Sequence, residues 1–68
     1  MIFVNEQEII KNLNIGDKFK GINTGNIWVV YFNIEFNQLS MRLINKTPPF
    51  HFHNLNDFEW DLMVKIID

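Results

Sequence analysis

The chain contains no cysteine. That excludes disulfides, thiolate zinc sites and cysteine nucleophiles. It has one serine, Ser40, embedded in a strand pattern, and three glycines, at 16, 21 and 25. No helix pattern follows those glycines, as a phosphate-binding loop requires. Basic residues are also scarce. Six Lys and Arg stand against eight Asp and Glu, for a net charge of −2, which gives no general electrostatic footprint for nucleic acid. No apolar run approaches the roughly 18 residues that a membrane span needs. Acidic Glu6 and Glu8 follow a short apolar start, whereas a signal peptide has a basic start and a longer apolar stretch. These absences point to a cytoplasmic protein with no membrane association and no cofactor. A chain this short also leaves little room for a deep pocket.

What is present is hydrophobic and aromatic. Of 68 residues, 47% are hydrophobic and 15% aromatic, against 21% charged, too apolar for a disordered segment. The length fits one domain, residues 1–68. It lies near the size at which one core only just outweighs chain entropy: about 1.5 kcal/mol of ordering per residue against about 25 cal/mol per Å² buried. Seven Phe, two Trp and one Tyr must supply much of that core, or an interface must. Ten Asn, ten Ile and one Arg against five Lys follow the usage of AT-rich codons, a compositional pointer to a low-GC bacterium or its phage.

Asn5 is placed to cap a helix, with Glu8 three residues on and Val4 and Ile9 at the positions of a hydrophobic staple. Ile9, Ile10 and Leu13 form one helical stripe, so a short helix is expected over 6–13, ended by Asn14 in a left-handed conformation. Residues 15–17 read as a turn. From Lys18 the period changes to two. Strands are expected over 18–22, 27–34 and 38–45, joined by turns at 23–26 and 35–37. Pro48 and Pro49 break the sheet. Residues 50–53 read as a short edge strand and 54–59 as a turn or a single 3₁₀ turn. Residues 60–67 read as a closing strand, with Trp60, Leu62, Val64 and Ile66 on one face. A helix capped by Asn56 is the rival there, and the β-branched Val64, Ile66 and Ile67 favour the strand. The expected fold is mainly β: a short N-terminal helix followed by five antiparallel strands in a small barrel, whose closure would remove exposed edges.

The run Ile15-Gly16-Asp17-Lys18-Phe19-Lys20, then Thr24-Gly25, then Trp28 and Val30, resembles small SH3-like barrel proteins. Many of those are proteins of phages and prophages of low-GC Gram-positive bacteria. Leu55, Phe58, Glu59, Trp60 and Leu62 resemble the short turn and closing strand of such barrels. The likeness covers about residues 15–64 and leaves out the helix and the proline break. It implies a compact interaction module and supplies no catalytic residue.

Several constellations bear on function. His51 and His53 share one side of a strand and, with Asp57 or Glu59, would make a zinc ligand set; two exposed histidines beside a proline loop is the plainer account. Asp57, Glu59 and Asp61 alternate with Phe58, Trp60 and Leu62. In a strand they would form an acidic row, either a solvated face or one that meets a basic partner. Residues 27–34 are apolar on both faces: Trp28, Val30, Phe32 and Ile34 on one, Ile27, Val29 and Tyr31 on the other. Only one can enter a barrel, so the other must be covered by the helix, covered by a partner, or exposed. Tyr31 and Phe36 are natural anchors for a partner. Lys18, Lys20, Arg42 and Lys46, interleaved with aromatics, are the candidates for single-stranded nucleic acid.

The reading that follows is a non-enzymatic protein–protein interaction module, suited to a phage-encoded modulator or inhibitor of a host protein. Its contact residues are Val29, Tyr31, Phe36, Asp57, Glu59 and Asp61, and its partner is a host protein or a second copy in a homodimer. The alternative is a small nucleic-acid-binding barrel.

Overall fold

The computed structural model describes residues 6–67. Helix α1 spans Glu6–Lys11. Five strands follow: β1 Lys18–Gly21, β2 Ile27–Asn33, β3 Gln38–Leu43, β4 His51–Phe52 and β5 Met63–Ile66. They form one antiparallel sheet in the order β4-β3-β2-β1-β5. The sheet does not close. β4 and β5 remain its two edges, so the expected closed or nearly closed small barrel is realised as a mainly β, barrel-like sheet that stays open. The expected cap at Asn5 and staple at Val4 lie outside the described residues.

Helix α1 ends at Lys11, where the Asn12 amide turns to the carbonyls of Glu8 and Ile9. The left-handed residue of the following turn is Gly16, with φ +96°, and not Asn14. The Gly16 amide donates to the Val30 carbonyl at 2.9 Å, and the Val30 amide to Asp17 at 2.8 Å. These two bonds fasten the turn to the middle of β2. A residue with a Cβ would be strained at that φ.

The largest departure from the expected elements lies near the C-terminus. Residues 55–57 form the expected 3₁₀ turn, but Trp60–Leu62 forms a second one, and the last strand starts only at Met63. The cause is Trp60. Its indole N–H donates to the Leu55 carbonyl at 2.8 Å, and its ring packs against Phe58 and Phe19 at 4.7 and 5.2 Å. That folds the chain back over Leu55, which a straight strand cannot do. The expected face of Trp60, Leu62, Val64 and Ile66 therefore breaks up: Trp60 is buried, whereas Val64 is 54% exposed.

One face of the sheet carries the core. Phe19, Trp28, Val30, Met41 and Leu43 point from the strands, and Leu55, Phe58 and Trp60 cover them from the 3₁₀ segment. Ile9, Ile10 and Leu13 pack on the same cluster. Edge-to-face contacts link Trp28, Phe52 and Trp60 through Phe58 at 5.3, 5.3 and 4.7 Å. Each such pair is worth about 1 kcal/mol beyond burial. The helix thus lies on the core side. It does not cover the second apolar face of β2, which corrects the simplest expectation for that strand. The core-facing row of β2 also ends early: Phe32 and Ile34 are 45% and 86% exposed, beyond the reach of the helix and the 3₁₀ cover.

Candidate functional site

The strand register defines the sheet's outer face, opposite the helix and the 3₁₀ turns. Lys18 pairs with Val29 and with Ile66. Val29 pairs with Arg42, and Arg42 with His51. One row across the sheet therefore reads Ile66, Lys18, Val29, Arg42, His51. Beside it, Val64 pairs with Lys20 and Lys20 with Ile27, while Tyr31 pairs with Ser40. Directly opposed residues of an antiparallel pair share a face, so these side chains lie together.

None of the five strands contains a carboxylate. Among the described residues every Asp and Glu sits in α1, in a loop or turn, or in the 3₁₀ segment. Lys18, Lys20 and Arg42 thus share a surface with no opposite charge on its strands. The one ion pair among the described residues, Lys65 to Asp17 at 3.6 Å, uses none of them. A protein of net charge −2 therefore has one locally cationic face.

Four rings run along the edge of that face. Tyr31 meets His51 at 5.6 Å between centroids, His51 stacks with His53 at 6.3 Å, and Phe36 meets His53 at 4.8 Å. Polar bonds hold the rings. The Tyr31 hydroxyl lies 2.9 Å from His51 Nδ1. His53 Nδ1 lies 3.2 Å from Asn33 Nδ2 and 3.3 Å from Ser40 Oγ. Asn33 Oδ1 accepts from the backbone amides of Glu35 and Phe36 at 3.0 and 3.3 Å, which fixes the orientation of its amide. Asn33 Nδ2 therefore donates to His53 Nδ1, and the His53 proton resides on Nε2. Ser40 is fully buried beneath this network.

That tautomer bears on the metal expectation. For His53 to bind a metal through its outer Nε2, the ring proton must move to Nδ1, where the Asn33 amino group already donates. Metal-ligating histidines normally donate from the second nitrogen to an acceptor, and here the second nitrogen faces a donor. Asp57 and Glu59 belong to the 3₁₀ segment, and no group of three ligating side chains is assembled among the described residues. The donor set does not fit a metal centre.

The residues expected to contact a partner divide between two sides. Val29 and Tyr31 lie half-buried on the outer face, and Phe36 stands 54% exposed at its rim in the β2–β3 turn. Asp57, Glu59 and Asp61 are exposed in the 3₁₀ segment that covers the opposite face. They do alternate with inward Phe58, Trp60 and Leu62, but as an irregular rim and not as a strand row. The sequence offered Lys18, Lys20, Arg42 and Lys46 as candidate nucleic-acid contacts, without placing the first three on one face. Their common face depends on the register of three strands.

The molecule has more concave space than its length suggested. A groove of about 640 Å³ opens beside Ile10, Phe36, Leu39, His53 and Leu55, within the volume range of small-molecule sites. It is open to solvent and lined by apolar and amide side chains, with His53 the one ionisable group among the described lining residues. Among the described residues, no helix is long and apolar enough to cross a membrane. Comparison with protein-family models, curated proteins and solved structures finds no match for the chain.

Proposed function

We propose that the protein is a non-enzymatic, cytoplasmic interaction module that holds a protein partner on the outer face of its sheet. The observation that carries this reading is the coincidence of three cations, none in an ion pair among the described residues, with the Tyr31–His51–His53–Phe36 ring series on a face whose strands have no carboxylate. Arg and aromatic side chains are the residue types that dominate binding energy at protein interfaces. Such a module suits a modulator or inhibitor of a larger host protein. The small SH3-like barrels that its sequence resembles would be its structural kin under this reading.

The same cations and rings favour a second reading, the binding of single-stranded nucleic acid. One comparison separates the face from the acidic rim. Affinity capture from a host lysate, read by mass spectrometry, is run with wild type, Tyr31→Ala, Arg42→Glu and Asp61→Lys. The proposal expects a saturable protein partner that the first two variants lose and Asp61→Lys retains. Capture unchanged in Tyr31→Ala and Arg42→Glu would remove the face from consideration.

A further inference from the structure

We infer that the segment this face accepts is an acidic, extended polypeptide whose carboxylates alternate with aliphatic side chains; this rests on the interaction-module reading. Lys18 and Lys20 are two apart on β1, so their side chains leave the sheet on one side, about 6.6 Å apart along the strand. Alternate carboxylates of an extended partner have the same spacing. Arg42 lies two strands away in the Lys18 row, about 10 Å across the sheet, where it meets a further acidic group. None of the three cations has an ion pair or side-chain hydrogen bond among the described residues, so none must be released before binding.

The ground between the cations is aliphatic. Val64 and Ile27 flank Lys20, and Ile66 and Val29 flank Lys18. Such side chains bury aliphatic groups well and offer no π-surface on which a base can stack. The rings are less available for stacking than their number suggests. Tyr31–His51 and Phe36–His53 are edge-to-face pairs, at 78° and 67°, and the Tyr31 hydroxyl is bonded to His51. A long polyanion would also meet the net −2 of the whole molecule; a short acidic segment meets only the local field.

The test is fluorescence anisotropy on the full chain with three labelled probes: a short peptide alternating Glu and Val, its Lys–Val counterpart, and oligothymidylate. The expected result is binding of the Glu–Val peptide alone, weakening as salt rises, and about tenfold weaker for Arg42→Glu. Arg42 is exposed and has no ion pair or side-chain hydrogen bond among the described residues, so this variant keeps the fold, and an unchanged melting temperature checks it. Tighter binding of oligothymidylate, equal binding of the Lys–Val peptide, or no binding of the Glu–Val peptide each overturns the inference. If a cellular partner is still lost on Tyr31→Ala and Arg42→Glu, the interaction-module reading survives that failure and only the acidic partner is wrong.

Discussion

At the scale of single residues, Asn33 does the most to organise the outer face. Its amide joins the β2–β3 turn to His53 through Oδ1 and Nδ2 at once. Two consequences are testable. Nitrogen-15 NMR of the imidazoles should show the neutral form of His53 as the Nε2–H tautomer; a proton on Nδ1 of that form would contradict the assigned bond. Asn33→Leu should cost about 1–3 kcal/mol in chemical denaturation, because His53 and two turn amides lose a shared partner in a part-buried setting. A loss within about 0.5 kcal/mol would mean that water replaces the amide. Gly16→Ala should cost about 1 kcal/mol, since its φ of +96° is left-handed and no neighbour crowds the site. No change in the unfolding midpoint would indicate that the turn relaxes freely. Gly16 was legible in the sequence as a turn glycine. Asn33 was not, because its role depends on His53, twenty residues further along the chain.

At the scale of elements, the first three strands follow from local pattern. The alternation of β3, the β-branched and aromatic density of β2 and the Asn23-Thr24-Gly25-Asn26 turn specify β1 to β3 to within two residues. The expected closing strand over 60–67 forms only over Met63–Ile66, although Trp60 and Leu62 continue its alternation with Val64 and Ile66. What coils the chain is a tertiary bond, from the Trp60 indole to the Leu55 carbonyl. Trp60→Phe keeps most of the ring and removes that donor, so it should cost about 1–3 kcal/mol; thermal unfolding matching wild type would show that ring packing alone holds the turn. The open edge at β5 has its own protection. Lys65 shares the core side with Phe19, its cross-strand partner, and reaches Asp17. An inward-pointing charge discourages edge-to-edge pairing. Lys65→Val should therefore raise self-association in light scattering, and a strictly monomeric variant would contradict that role.

At the scale of the whole molecule, two features decide the account. All the cover for the core, α1 and both 3₁₀ turns, lies on one side of the sheet. All the described carboxylates lie off the strands. The sequence alone shows more apolar surface than one interior needs, concentrated in residues 27–34 and in the closing segment from Phe58. It could not say which face the helix takes, because Ile9, Ile10 and Leu13 would pack equally well on either. Nor could it see the cationic face: Lys18 and Arg42 are separated by 24 positions and become neighbours only through Val29. The expected acidic row lies in the 3₁₀ segment, away from Tyr31 on the outer face, with Phe36 at the rim between them.

The central claim, that the outer face of the sheet is the contact surface, is tested most directly by amide chemical-shift mapping during titration with the captured partner or the Glu–Val peptide. The account predicts that the perturbed residues cluster at Lys18, Lys20, Val29, Tyr31, Arg42 and His51. Perturbations confined to α1 and the segment 55–62, with the outer face silent, would contradict it.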